Sequence, residues 1–421
     1  MQEAVEAAVE EAGPDYDRIL AEIQQGDTAE AEARLEDLLE RKAKQGQQAN
    51  AEAARAAVHI ATLAYLHDTD KARRYYARAT ELDPDNAAAW NGLGHINKRL
   101  GNLAAAETAY RRVEALGNRL DDKTLLAVAY GNLGLVARIR GDLDAAEDWH
   151  RKSLAIETEL GRKEGMASDY GNLGVVARTR GDLDAAVEWH RKALALDEEL
   201  GRKEGMASDY GNLGLVAKTR GDLDAAEDRF RKALAVFEEL GRKESIANQY
   251  GNLGNVAFTR GDLDAADDWH RKALALDEEL GRKEGMANHC GNLGLVAFTR
   301  GDLDAAEDWH RKALALDEEL GRKEGMASDY GNLGLVAKTR GDLDAAEDWH
   351  RKALVLNEEL GRKEGMAIQY GNLGAVAKAR GQIDEARDQW RKSVALFAEM
   401  GATPMVERVS GWLADLDSDD N

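Results

Sequence analysis

Apolar residues recur along the chain at the spacing of amphipathic helices, in two stretches for every 40 residues. Within one copy, Tyr170, Leu173 and Ala177 predict a first helix over residues 167–180. The next stretch has apolar residues three or four positions apart, at Ala186, Trp189, Ala193, Leu196 and Leu200. This spacing predicts a second helix with one apolar face and a charged opposite face.

Residues typical of helix ends separate the two stretches. Gly181 and Gly201 follow the last apolar residues, as glycine commonly does just past a helix C-terminus. Asp182 is well placed to cap the second helix, and Asp184 suits the positive end of the helix dipole. Residues 202–204 then predict a polar link to the next copy.

The pattern repeats with a constant period of 40 residues. The residue before the motif Gly-Asn-Leu-Gly, or its first counterpart, is Trp90, Tyr130, Tyr170, Tyr210, Tyr250, Cys290, Tyr330 and Tyr370. These eight units in phase run from about residue 87 to 406. One hairpin of this size cannot bury its apolar face alone, whereas stacked copies can, so the repeat predicts an all-α solenoid.

The residues themselves indicate the family, because a period of about 40 also fits HEAT and armadillo arrays. The run 170–174 (Tyr-Gly-Asn-Leu-Gly), the pair Gly181-Asp182 and the small residues Ala186 and Ala193 resemble the tetratricopeptide repeat (TPR) pattern. The resemblance recurs in every unit and implies a right-handed superhelical α-solenoid of helix-turn-helix repeats. TPRs of about 34 residues usually carry proline soon after the second helix, where this chain has Glu198. The longer unit resembles those of kinesin light chains, Pins-type adaptors and bacterial TPR arrays.

The domain organisation follows from the same pattern. Residues 1–52 are expected to form a degenerate N-terminal helical repeat, and 53–86 a 34-residue TPR. The eight longer repeats occupy 87–406, followed by a capping helix at 405–416 and an acidic tail at 417–421. No stretch rich in proline or serine interrupts the array, so we expect one continuous domain.

Composition narrows the classes of partner. The chain has 57 Lys+Arg against 79 Asp+Glu, a formal net charge of −22. This balance argues against nucleic acid or an anionic membrane as the main partner, because phosphates require basic surfaces. No stretch approaches 18 apolar residues, and the N-terminal segment lacks the features of a signal peptide. The sequence therefore predicts a soluble, cytoplasmic protein.

Candidate catalytic side chains all recur with the repeat, which indicates structure rather than a unique active site. Five histidines follow tryptophan, at His150, His190, His270, His310 and His350. Neighbouring copies would be roughly 10 Å apart, whereas zinc ligands lie about 2 Å from the ion. Phe230 takes this position once, which a packing role permits and a metal ligand does not. Packing roles are also expected for the single cysteine, Cys290, as a buried thiol and for Trp149, Trp189, Trp269, Trp309, Trp349 and Trp390. We therefore predict no catalytic residue, metal or cofactor, and no enzyme.

An asparagine recurs on each first helix, and we call the set the asparagine ladder: Asn132, Asn172, Asn212, Asn252, Asn292, Asn332 and Asn372. An amide donates and accepts at once, so a row of amides can bind the main chain of an extended peptide. In the TPR family the first helices line a concave groove, and asparagine at this position commonly holds peptide backbone. The resemblance implies that role here. The alternative is that each asparagine bridges adjacent first helices.

Six residues beyond each asparagine lies a second set, which we call the basic/Phe column: Arg138, Arg178, Lys218, Phe258, Phe298, Lys338 and Lys378. By family analogy this position also faces the groove, which would then be basic at both ends with two phenylalanines between. Such a groove suits a partner with acidic groups and one apolar anchor. The alternative is that these are ordinary solvated charges.

Two glycines interrupt each first helix, at Gly171 and Gly174 in one copy, although each costs about 1 kcal/mol relative to alanine. Gly174 matches the family glycine that lets paired helices approach closely. Gly171 either leaves room for a bound chain or permits tight packing between neighbouring first helices.

The leading functional prediction is a non-catalytic adaptor that binds a protein or peptide in its groove. The alternative is a structural protein that self-associates end to end, because near-identical units have interchangeable faces. RNA reading by helical repeats would require a basic surface, which the net charge disfavours.

Overall fold

The computed structural model describes residues 33–39 and 47–419, and over these residues it contains helices and short turns but no strand. Residues 33–39 are helical. The helices that follow are α1 (Gln47–Ala64), α2 (Thr69–Leu82), α3 (Ala87–Arg99), α4 (Leu103–Leu120), α5 (Lys123–Ile139), α6 (Leu143–Glu159), α7 (Lys163–Arg180), α8 (Leu183–Leu200), α9 (Lys203–Thr219), α10 (Leu223–Glu239), α11 (Lys243–Arg260), α12 (Leu263–Leu280), α13 (Lys283–Arg300), α14 (Leu303–Leu320), α15 (Lys323–Arg340), α16 (Leu343–Glu359), α17 (Lys363–Ala379), α18 (Ile383–Glu399) and α19 (Thr403–Asp419).

The chain divides into two compact units, Met1–Asp209 and Tyr210–Asn421, with the division inside α9. Within each unit, consecutive helices pack against one another as antiparallel pairs, and each pair packs against the next. The predicted all-α solenoid is therefore confirmed. The degenerate repeat expected at 1–52 lies mostly outside the described residues.

The predicted helix ends are confirmed. The carboxylate of Asp182 accepts a hydrogen bond from the backbone N–H of Ala185 at 3.0 Å, and such a cap contributes about 1 kcal/mol. Gly181 and Gly201 adopt φ of 90° and 66° at the ends of α7 and α8. Only glycine reaches this left-handed region without strain, so it stops the helix.

The link between repeats is shorter than predicted. Residue Arg202 donates its backbone N–H to the carbonyl of Asp197 at 2.8 Å, which turns the chain within two residues. Lys203 and Glu204, expected in the link, belong to the first turn of α9, where Glu204 complements the helix dipole. For the same reason α7 begins at Lys163 rather than at 167.

The buried face of the second helix also differs from the prediction. In α8 the buried residues are Ala186, His190, Ala193 and Asp197. Trp189 and Leu196 are only half-buried, and the predicted stripe ends at Leu200, which is 38% exposed. The buried face of α8 differs from the predicted one because the first helix of the next repeat packs against the side that carries His190 and Asp197.

Close approach of paired helices explains the second glycine of each first helix. A Cβ built on Gly174 would lie 2.6 Å from the ring of His190, which is completely buried. The same contact recurs between Gly134 and His150, and Phe230 fills the place of the ring against Gly214. The predictions that this glycine permits close packing and that the histidines pack between helices are both confirmed.

Helix α19 covers the last helix pair. Its Val409 and Leu416 are 1% exposed and belong to one buried cluster with Trp390 and Phe397 of α18. The helix is longer than the predicted 405–416, because it begins at Thr403 and continues to Asp419.

Candidate functional site

The first helix of each repeat leaves one stripe of its surface uncovered. On α11 this stripe consists of Asn248, Asn252 and Asn255, whose spacing of four and three residues places them on one face. Shallow clefts run between the stripes of neighbouring first helices, from α11 to α13, α13 to α15, and α15 to α17. The clefts bring ladder asparagines from adjacent repeats together in pairs, Asn252 with Asn292, Asn292 with Asn332, and Asn332 with Asn372.

The ladder asparagines are not equivalent. Asn132 is buried, and its Nδ2 donates to Oδ1 of Asn91 on α3 at 3.0 Å, so this residue does bridge adjacent first helices. The six later members are half-buried. In later repeats glycine holds the position of Asn91, as at Gly131 and Gly171, and glycine has no side chain to complete such a bridge.

The space around the first glycine of each first helix differs from one repeat to another. A Cβ built on Gly291 would have its nearest neighbour, Oδ1 of Asp329, at 3.9 Å, which is ordinary contact and leaves the backbone open. At Gly251 a Cβ would lie 2.7 Å from the ring of His289, so there glycine is required for packing. The facing residue of the next repeat decides which role applies.

Six residues along a helix correspond to a rotation of about 240°, which equals about 120° in the opposite sense. The asparagine ladder therefore lies at one edge of the exposed stripe and the basic/Phe column at the other. Its members are half-buried except for Lys378, which is exposed. The Nε atoms of Arg138 and Arg178 are buried without a hydrogen-bond partner. Burial lowers the pKa of Lys218. Lys378 lies over the ring of Trp390, 6.0 Å from its centroid.

The two phenylalanines of the column are part of the packing between repeats. Phe258 packs against a buried cluster that includes Ala266 and Val296, and Phe298 packs against the equivalent cluster one repeat later. Only part of each ring therefore faces outward for a ligand.

The structure also contains buried polar pairs that sequence reasoning missed. Nδ1 of His190 on α8 lies 3.2 Å from Oδ1 of Asp209 on the following first helix. Equivalent pairs join His150 to Asp169 at 3.5 Å and His310 to Asp329 at 3.7 Å. The three aspartates are 3–4% exposed, and loss of solvation raises their pKa.

A signal for these pairs is present in the sequence. The two positions lie 19 residues apart, and the second is polar in each of these copies: Gln249 follows Phe230, His289 follows His270, and Gln369 follows His350. The last pair is hydrogen-bonded at 2.9 Å from Nδ1 of His350 to Oε1 of Gln369. Comparing the repeats one position at a time does not reveal that these two positions face each other.

A second buried acid is the first residue of the acidic run 197–199. Asp197 is 3% exposed, and its Oδ1 lies 3.3 Å from Nη1 of Arg202. A Cβ on Gly205 would lie 1.8 Å from its Oδ2, so this carboxylate depends on the glycine. Where Phe237 replaces the acid, Ser245 replaces the glycine. Burial raises the pKa of Asp197.

Many acidic residues of the second helices are paired across repeats. The guanidinium of Arg180 on α7 lies 2.5 Å from both Glu147 and Asp144 of α6, and within one repeat Lys163 pairs with Glu199. Hydrogen bonds from Arg151 and Arg180 lower the pKa of Glu147. Exposed pairs contribute little each to stability, but they neutralise part of the acidic surface of the second helices.

The tryptophan rings of the second helices pack against cationic side chains. Trp189 stacks on Tyr170 with centroids 5.6 Å apart. Lys192 lies 4.4 Å over the same ring, and Arg151 of α6 lies 5.4 Å from it. The predicted packing role of these residues is confirmed, although most are half-buried and Trp390 alone of the six is fully enclosed, at 3% exposure.

Cys290 is buried as predicted, and burial raises the pKa of its thiol to about 11. Among the described residues no three His, Cys, Asp or Glu side chains are grouped so that they could hold a metal ion. None of the helices in the described part of the chain combines the length and the apolar character needed to cross a bilayer.

Comparison with known families identifies the class of protein. Tetratricopeptide repeat models match residues 85–159, 165–239, 244–319 and 325–399, and shorter ones match 62–86 and 12–37. These matches cover well over half of the chain, so the protein belongs to the tetratricopeptide repeat family. Members of this family form helical scaffolds for protein interaction, a generally non-catalytic fold. No curated protein sequence matches the chain.

Several solved structures share the fold. The apo form of the quorum sensor NprR from B. thuringiensis has 15% identity and a TM-score of 0.59, over 82% of this chain and 99% of its own. A Rap protein complexed with competence and sporulation factor has 13% identity and a TM-score of 0.55, over 88% and 98%. A STAND signal transduction ATPase with a TPR sensor, from Pyrococcus horikoshii, has 15% identity and a TM-score of 0.58, over 81% and 54%. At these identities the likeness concerns the fold alone.

Proposed function

We propose that the chain is a non-catalytic adaptor that binds an extended segment of a partner protein along the exposed stripes of its first helices. The observation that carries this proposal is the position of the asparagine ladder. Asn252, Asn292, Asn332 and Asn372 line successive clefts, and their amides have no hydrogen-bond partner among the described residues.

The chemistry of these amides suits a peptide main chain. Each amide offers two donors and an acceptor, which match the carbonyl and N–H groups of an extended strand regardless of its side chains. Half-burial of the amides reduces competition from water. The open backbone at Gly171 and Gly291 leaves space for a chain to approach the helix surface.

We also propose that the partner segment carries acidic residues. Arg138 and Arg178 are half-buried at the edge of the stripe, where their guanidinium groups would pair with a carboxylate. The same repeat position is held by Lys338 and Lys378 in later repeats. A structure of this fold complexed with a factor, the Rap protein, agrees with a binding role.

Substitution of the ladder and of the column tests the proposal. We expect Asn332→Ala and Lys338→Glu each to weaken binding of acidic peptides, roughly fivefold to tenfold, since a hydrogen bond contributes about 1 kcal/mol. The measurement is fluorescence anisotropy with an acidic peptide library and the full chain. Arg391→Glu is the control, because it makes the same charge change on the exposed side of α18. Unchanged affinity in both test variants, or an equal loss in the control, would remove these positions from the site.

Removal of α19 tests the alternative function, end-to-end self-association. We expect the full chain to be monomeric and a chain truncated after Gly401 to self-associate with a lower melting temperature. The reason is that Trp390 and Phe397 lose the cover of Val409 and Leu416, at roughly 1.5–3 kcal/mol for each large apolar side chain. Light scattering coupled to size exclusion measures the change, and truncation after Leu416 is the control. An oligomeric full chain would favour the structural alternative.

A further inference from the structure

The repeats around α11 and α13 depart from the others on the exposed stripe. Where α11 has Asn255, the first helices from α5 onward carry leucine, valine or alanine, at Leu135, Val175, Leu215, Leu295, Leu335 and Ala375, and α3 carries His95. Where α11 and α13 have Asn248 and Asn288, the others carry alanine, serine, valine or isoleucine, at Ala88, Val128, Ser168, Ser208, Ser328 and Ile368. Asparagine is a poorer helix former than leucine or alanine, so these changes do not serve helix stability.

The substituted residues meet in one cleft. We call it the asparagine cleft and define it by Asn248, Asn252 and Asn255 of α11 and Asn288 and Asn292 of α13. The Oδ1 of Asn288 accepts from Nη2 of Arg322 at 3.3 Å, which leaves its two N–H donors free. The other four amides have no hydrogen-bond partner among the described residues. Five amides from two helices therefore point their polar groups at one space.

The inner wall of the asparagine cleft differs from that of the next cleft in charge. Between α13 and α15 the lining includes the carboxylates of Asp317 and Asp329. In the asparagine cleft the position of Asp329 is occupied by His289, which is 7% exposed. Burial lowers the pKa of His289 to about 4, so its ring is neutral near pH 7.

The charged residues at the mouth of the cleft are paired within the protein. Arg282 lies 2.9 Å from Asp277 and 3.3 Å from Glu244. Glu284 lies 3.7 Å from Nη2 of Arg322. The cleft thus presents uncompensated hydrogen-bonding capacity, and the carboxylates at its mouth outnumber the guanidinium groups that pair with them, which disfavours a carboxylate ligand and fits an uncharged polar one.

We propose that the asparagine cleft binds an uncharged stretch of the partner peptide that carries asparagine or glutamine side chains, and so fixes the position of the partner along the array. Carboxamide side chains donate and accept in the same geometry as the amides that line the cleft. A charged side chain would lose hydration there without gaining an opposite charge. This inference rests on the proposed function, and it adds a specificity that the near-identical clefts of the other repeats do not provide.

Two peptides and one double variant test the inference. The first probe has acidic residues at both ends and glutamine and asparagine in the middle, and the second has alanine in the middle. About twelve extended residues span roughly 40 Å, enough to cross several helices packed 8–10 Å apart. The variant Asn248→Ser/Asn255→Leu restores residues that the chain itself uses at Ser208 and Leu215, so it is expected to fold.

The expected result is that the full chain binds the carboxamide probe roughly tenfold more tightly than the alanine probe, and that the double variant loses this preference. Equal binding of the two probes by the unchanged chain would overturn the inference while leaving the proposed function intact. A preference that survives in the double variant would also overturn it. Failure of both probes to bind would count against the proposed function itself and against the inference that depends on it.

Discussion

Replacement of Gly294 by alanine is expected to destabilise the protein by about 1–3 kcal/mol, the usual cost of overpacking a core, although alanine is the better helix former. A Cβ at this position would lie 2.6 Å from the ring of His310. That ring is 1% exposed and enclosed between α13 and α14, so it cannot swing away. Thermal unfolding of the full chain, together with amide hydrogen exchange in α13 and α14, would report the loss.

Gly291→Ala is the matched control on the same helix. Its Cβ would meet nothing closer than 3.9 Å, so we expect unchanged stability or a gain of up to about 1 kcal/mol from helix propensity. Because Gly291 lines the cleft between α13 and α15, the same variant should bind acidic peptides more weakly while being no less stable. Equal destabilisation by both substitutions would show that the clash with His310 is not the cause.

Helix positions could be predicted from the sequence because their causes are local. Asp182 and Gly181 act on backbone groups within four residues, and the apolar spacing needs no knowledge of the partner helix. The start of α7 was predicted late because Lys163 and Glu164 look like linker residues. Only the tight turn at Gly161 shows that the chain re-enters a helix at once.

The prediction of which residues of the second helix are buried was wrong, because their burial depends on the neighbouring helix. Trp189 and Leu196 are more apolar than His190 and Asp197, and hydrophobicity alone selects them. The polar residues are buried because the next first helix brings Asp209 to the histidine, and Gly205 makes room for Asp197. The free-energy cost of burying these polar side chains is compensated by partners in the next repeat.

The candidate site also combines a feature that could be predicted from the sequence with one that could not. The asparagine ladder could be predicted because it recurs, although only its six later members are half-buried and Asn132 is buried. The asparagine cleft could not be predicted from the consensus, because it consists of departures from it at Asn248, Asn255 and Asn288. Its significance depends on two helices that bring these departures into one space.

Acid is expected to weaken the packing of α12 against α13 before that of the interfaces with a His–Asp pair. His270 and His289 have ring centroids 5.8 Å apart. Burial lowers the pKa of each to about 4 from 6.5; the other ring and Lys218 act in the same direction on His270, whereas Asp267 opposes them. Arg282 further lowers the pKa of His289, whose Nε2 lies 3.4 Å from Asp277.

The sign follows from proton binding. Unfolded histidines take up protons as the pH falls through about 6.5, whereas the folded pair does not until about pH 4. The stability that the pair contributes is therefore complete above pH 6.5 and is lost toward pH 4, by roughly 3 kcal/mol for each histidine. At His310–Asp329 the raised pKa of the aspartate acts in the opposite direction, because that group gains a proton in the folded state.

Replacing the pair His270–His289 with the residue pair of a neighbouring interface tests the expectation. His270→Phe with His289→Gln reproduces the pair Phe230–Gln249, which the chain already packs one repeat earlier. Hydrogen-exchange protection factors in α12 and α13, compared between pH 7 and pH 4.5, should fall in the unchanged chain and stay nearly constant in the double variant. The α14–α15 interface in the same sample is the internal control. An equal loss of protection in both proteins would mean that the two histidines do not cause the acid sensitivity, and that other groups between α12 and α13 titrate instead.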